Sequence, residues 1–265
     1  MKNTKLRTAV LAASLAAVVG IGGAAAYFSD SESATNTFTV GRIDISLTEP
    51  AWDTWNASDP APIVPDQEIP KDPAVTNTGS NDAYVFMTVK VPTAQIVTAA
   101  ENGTKQAQAA ETQLFSYEVD DNWTLVSSGV TGGAAVTVAN NTGSFGVHTA
   151  IPATGSEPRL GYVTYVYAYT GSTPASMERL EKQSAASGST PNSTPALFDA
   201  VQFVNAVEGQ GLETSAPSIN VNAYAIQADF INDGDSTIDG TNGGSPKNAP
   251  ADVWAVIQAQ SSVSL

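Results

Sequence analysis

Asp72–Pro92, DPAVTNTGSNDAYVFMTVKVP, carries the clearest strand signal in this chain. Val75 runs into the turn Asn77-Thr78-Gly79-Ser80-Asn81, and Tyr84–Val91 then alternates. Val85, Met87, Val89 and Val91 fall on one face, with Tyr84, Phe86, Thr88 and Lys90 on the other, because successive strand side chains point to opposite sides. Both faces are largely apolar. A strand of this kind belongs at the centre of a sheet, covered by an opposing sheet on one side and by another element on the other. Val75 and Tyr84–Val91 together read as a strand pair joined by the Asn-Thr-Gly turn.

The same pattern recurs downstream. Leu160–Thr170 is a long strand with Val163, Tyr165, Tyr167 and Tyr169 on one face, which reads as cross-strand packing. Leu114–Val119 and Trp123–Val126 flank Asp120-Asp121-Asn122 as a hairpin. Further strands are expected at Ala134–Val138, around Val201, Phe203 and Val207, and over Ile219–Ile231. Helical signals are few. Ala99–Thr112 reads as a surface helix or a mobile insertion, Met177–Ala186 as a short polar helix, and Ser187–Pro195 as a flexible loop. Pro250–Gln260 has Pro at a first helical position and Asp252 in the first turn, so a terminal helix is expected there. Between Glu49 and Lys71, prolines 50, 60, 62, 65 and 70 rule out a helix or a central strand on sequence grounds. Trp52 and Trp55 in this segment cover an edge of the core or, alternatively, offer a sugar-stacking platform. The sum is an all-β, two-sheet, jelly-roll-like sandwich with a few short helices and long loops.

Upstream of the strands, Lys2, Lys5 and Arg7 precede an apolar run from Ala9 to Ala26 that ends in small residues. This is the pattern of a secretory signal peptide, residues 1–26. Removing three basic residues and no acidic ones takes the formal charge from -15 to -18. A chain this acidic is repelled by nucleic acid and anionic membranes. It has no cysteine, so stability outside the cell must come from its core. Residues 27–37 form a polar arm without Gly or Pro, a candidate donor strand, and residues 38–265 form a single β-sandwich domain. Phe38 and Val40 alternate with threonines, then Ile43, Ile45 and Leu47 with Asp44 and Ser46. The apolar phase slips by one at Gly41-Arg42, as a β-bulge would produce.

Catalytic signals are sparse. His148 is the single histidine and reads as an ordinary loop residue. There is no H-E-x-x-H helix, no second His and no G-x-S-x-G elbow. Asn232–Gly240 lacks the acidic spacing of an EF-hand and reads as an Asx- and Gly-rich turn. Asp233, Asp235 and Asp239 are its candidate ligands for a weakly bound Ca2+, and no other cofactor is expected. Asn-x-Ser/Thr triplets, as at Asn56 and Asn102, follow from a composition rich in those residues.

The N-terminal region resembles the TasA/camelysin family of exported bacterial proteins. The matching residues are Ala26-Tyr-Phe-Ser-Asp30, Thr35-Asn-Thr-Phe38 and Gly41-Arg-Ile-Asp-Ile-Ser-Leu47, followed by Pro65-Asp-Gln-Glu68 and Asn77-Thr-Gly79. The resemblance implies processing by a SipW-type signal peptidase and a jelly-roll subunit of secreted, biofilm-matrix fibres at the cell surface. Each subunit would donate its N-terminal strand to the next, so its partner is another copy of itself, with an accessory matrix protein as a further candidate. Tyr27, Phe28, Asp30, Phe38, Val40, Ile43 and Ile45 are the expected assembly residues. An added strand gains main-chain hydrogen bonds along its length, and such a head-to-tail contact propagates without closing. The family also carries a metalloendopeptidase label, which one His and no Cys do not support, so the chain is expected to be non-enzymatic. A monomeric surface adhesin or carbohydrate-binding module, resting on Trp52, Trp55 and the tyrosine strand, is the remaining alternative.

Overall fold

The computed structural model describes residues 41–58, 62–126, 145–148 (backbone only), 160–183, 192–212, 217–229 and 248–260. These lie in the compact unit Gly41–Leu265. In chain order the strands are β1 (Ile45–Thr48), β2 (Glu68–Pro70), β3 (Ala74–Asn77), β4 (Ala83–Ile96), β5 (Ala110–Gln113) and β6 (Phe115–Ser116), then β7 (Trp123–Leu125), β8 (Phe145–His148), β9 (Gly161–Tyr169), β10 (Ala200–Phe203) and β11 (Asn220–Gln227). Two helices are described, α1 (Pro50–Ala57) and α2 (Pro250–Gln260).

The 14-residue β4 is the spine of the molecule. It sits inside a six-stranded antiparallel sheet of order β11-β4-β9-β7, with β5 beside the far end of β4 and β8 beside β9. Its inner face carries Val85, Met87, Val89 and Val91 into one core with Val163, Tyr165 and Tyr167 of β9. The opposite wall of that core comes from Val75 of β3, Ile69 of β2, Phe115 of β6, and Val201 and Phe203 of β10. The protein is therefore an all-β sandwich. Its second layer is divided into two short sheets, β1-β3 and β2-β10-β6. The division follows from the far side of β3, which residues 192–194 occupy: Thr194 N donates to Val75 O at 2.8 Å, and Asn77 N to Asn192 O at 2.7 Å.

The outer face of β4 contributes Tyr84 and Phe86 to a second core with Val166 and Ala168, closed by Val253, Trp254 and Ile257 of α2. The second cover required by the two-faced β4 pattern is thus the terminal helix. Trp254 packs on Phe86 at 5.1 Å and on Tyr224 at 5.7 Å between ring centroids.

Several local readings are corrected by this arrangement. β3 and β4 do not pair with each other; the Asn77–Asn81 turn carries the chain from one layer to the other. Asp120–Trp123 does form a turn, but β6 pairs with β10 and β7 with β9, so Leu114–Val126 is a corner between sheets and no hairpin. The Pro-rich connection does contain a helix, α1, because Pro50 stands at its first turn, where no backbone N–H is needed. Ala99–Thr112 is not helical. Its Asn102-Gly103 turn, with Gly103 at φ 82°, reverses the chain so that β5 can pair with β4. Nor is the described part of Met177–Ala186 helical, since Leu180 exchanges two backbone bonds with Ala83 and is fully buried. Thr194, in the expected loop, is buried against β3. Val207 falls beyond β10, and His148 ends strand β8 opposite Tyr162. Ala134–Val138 lies outside the described residues.

Candidate assembly interface

The first strand is positioned from below by a buried asparagine. Asn77 is fully buried. Its Oδ1 accepts from Gly79 N at 2.9 Å, while its Nδ2 donates to Asn81 O at 2.9 Å and to Leu180 O at 3.1 Å. The turn so fixed clasps the chain just ahead of β1. Thr78 N donates to Asp44 O, Ser80 N to Arg42 O, and Arg42 N to Ser80 Oγ, each at 2.9 Å. A Cβ on Gly79 would stand 2.5 Å from Arg42 O and 2.8 Å from Asp44 N, so only glycine allows this crossing. A Cβ on Gly41 would overlap the Asn81 amide. The two short motifs, Gly41–Leu47 and Asn77–Gly79, are therefore one contact in space.

From this clasp β1 runs antiparallel to β3, with Ile45 opposite Asn77 and Leu47 opposite Val75. Ile43, Ile45 and Leu47 are half-buried against the inner core. Of the expected assembly residues, Ile43 and Ile45 are placed here; Tyr27, Phe28, Asp30, Phe38 and Val40 lie outside the described residues. Downstream, α1 is held by Asp72, whose Oδ1 accepts from Ala51 N at 2.8 Å and caps the helix from a distance. Lys71 Nζ pairs with Glu49 at 2.8 Å and sits 4.9 Å from the Trp52 ring centroid. Sequence reading misses both, because cap and partner lie some twenty positions away in the chain.

The surfaces proposed for ligands divide differently. Tyr165 and Tyr167 are fully buried, with Gln113 Nε2 donating to the Tyr165 hydroxyl at 2.7 Å and the Tyr117 and Tyr167 hydroxyls 3.0 Å apart. Burial pushes the Tyr165 phenol up to about 12 and those of Tyr117 and Tyr167 upward as well. These rings are core and offer no sugar platform. Trp52 and Trp55 are half-buried, 5.3 Å apart, and pack on the inner core as expected. A groove of about 770 Å³ lies between Pro62–Pro65 and Phe203–Leu212. One wall is the Pro65-Asp66 turn, where Asp66 takes φ 61° and Gln67 N donates to Val64 O. Pro at the second position and a left-handed Asp at the third are the marks by which sequence could have found it.

Among the described residues no group of three or more His, Cys, Asp or Glu side chains converges as metal ligands. Asp233, Asp235 and Asp239 lie outside them. The described residues do not fit a resident catalytic metal.

By fold, this is a two-layer all-β protein whose first strand is laid over an Asn-Thr-Gly turn. The family model described as camelysin metallo-endopeptidase matches residues 2–123, a little under half of the chain. That span contains β1, the clasping turn and β4, and it supports the resemblance to TasA/camelysin proteins. No curated protein and no solved structure matches the chain.

Proposed function

We propose that the chain is a secreted, non-enzymatic subunit of extracellular or biofilm-matrix fibres, assembled head to tail by donation of the N-terminal arm. The observation that carries this reading is the outer edge of β1, which has no backbone partner among the described residues. Antiparallel partners alternate between bonded and non-bonded pairs. The bonds at Arg42 and Asp44 set the phase, so even-numbered residues of the strand face β3. The N–H and C=O groups of Ile43, Ile45 and Leu47 point the other way, without a backbone partner among the described residues. An open edge with apolar side chains beneath it is a template for strand addition, and here it directly follows a polar arm. Release of the arm by a SipW-type signal peptidase would be the assembly step, with an accessory matrix protein as a second partner. A peptidase reading has the matched family's name in its favour; against it stand the single His148 and the described donor set.

The test is negative-stain electron microscopy of the chain beginning at Tyr27 beside one beginning at Phe38. Filaments from the first and monomers from the second are expected. Monomers from both at high concentration would remove the fibre reading.

A further inference from the structure

The groove between Pro62–Pro65 and Phe203–Leu212 shares no residue with β1, and its volume of about 770 Å³ falls in the range of small-molecule sites. Ile63, Val64, Phe203 and Leu212 give it apolar walls, and Glu208 is the one charged residue on them. Val64 is 58% exposed, and among the described residues it is the one large hydrophobic side chain left in solvent. That side chain therefore borders a concave apolar surface, a combination that marks binding sites.

Along these walls the backbone is already paired at three points. Val64 N donates to Gln67 Oε1 at 2.9 Å, and Val64 O accepts from Gln67 N at 3.1 Å. Phe203 N donates to Gln67 O and Phe203 O accepts from Asp66 N, each at 3.0 Å. Val207 N donates to Val97 O at 3.0 Å, and its carbonyl accepts from Gln210 Nε2 at 2.6 Å. Prolines 62, 65 and 217 have no N–H to offer. An added strand finds no ladder to join at these residues, so an occupant is held by side-chain contact. The side chains present apolar area and one carboxylate. Glu208 is exposed and forms no ion pair among the described residues, in a chain of formal charge -15. We infer that the groove is a binding site for a small amphiphile with an apolar body and a single cationic head. The body lies along Val64 and Leu212, and the head pairs with the Glu208 carboxylate. A sugar would meet no backbone donor at the three paired residues, and an anion would meet a like charge. The inference does not depend on the fibre reading.

Phenylbutylammonium, phenylbutanol and phenylbutyrate share one body and differ only in the head. Titrating each into the isotope-labelled full chain, followed by amide resonances in nuclear magnetic resonance, tests the site. The expected result is saturable shifts at the amides of Val64, Val207 and Leu212. The ammonium should bind about threefold tighter than the alcohol, as a solvent-exposed ion pair allows, and the carboxylate weakest of the three. Glu208→Gln should erase the margin of the ammonium over the alcohol, and Val64→Asn should weaken all three probes. Both residues are exposed, so both variants keep the core intact. Shifts that do not saturate or that scatter over the acidic surface would overturn the site, as would a Val64→Asn variant that binds unchanged. An alcohol that binds as tightly as the ammonium, or a cation preference that survives Glu208→Gln, would overturn the role of the carboxylate and with it the proposal.

Discussion

Asn77 and Gly79 show how much a short turn can hold. Sequence marks Asn-Thr-Gly as a reversal, and it is one. What the sequence does not show is that Asn77 is buried with three side-chain hydrogen bonds, or that Arg42 passes directly over Gly79. Leu180 and Arg42 come from other parts of the chain. A methyl group at position 79 must push the first strand away from the turn. Gly79→Ala should therefore lose about 1–3 kcal/mol of stability, read from the midpoint of urea unfolding at unchanged slope. An unaltered midpoint would mean that residues 41–44 are not clasped in solution.

At the scale of elements, the two-faced pattern of Tyr84–Val91 required a cover on each side, and Pro250 with Asp252 announced a helix; neither said that one covers the other. Trp254 makes that connection, fully buried between Phe86 and Tyr224. Replacing it with alanine opens a cavity over the outer face of the main sheet, at an expected cost of about 3–5 kcal/mol, measurable by denaturant titration followed by circular dichroism. The missed elements share one cause. Leu114–Val126 has the local chemistry of a hairpin, but β6 and β7 find longer-range partners in different sheets. Ala99–Thr112 has helix-forming composition, but a free stretch of β4 offers it a ladder instead. Propensity is a weak preference, and an unpaired strand edge outweighs it.

For the molecule as a whole, the tyrosines between the layers link stability to pH. Tyr117, Tyr165 and Tyr167 are neutral in the core, with phenol pKa values raised above the ordinary 10.0 by burial, Tyr165 to about 12. In the unfolded chain the same phenols ionise near 10.0. The unfolded state therefore binds fewer protons above that pH, and stability falls as pH rises. The contribution is fully present below pH 10.0 and is lost through about pH 12. Alkaline titration should show tyrosinate absorbance and loss of β-sheet ellipticity rising together in that window. Ionisation well before unfolding would mean that the rings are open to solvent.

Periodicity by itself determined the all-β class, the central two-faced strand and the tyrosine face of β9, because a period of two with apolar residues on both faces has few other solutions; Pro250 and Asp252 marked the terminal helix. The N-terminal motifs were also legible there. Only the tertiary structure decided which strands pair, that the second layer is split in two, and which backbone edge of β1 has no partner among the described residues. Those outcomes depend on which backbone edges meet after collapse, and hydrogen-bonding groups are identical at every residue but proline. No local pattern of side chains can specify which of them will be left without a partner.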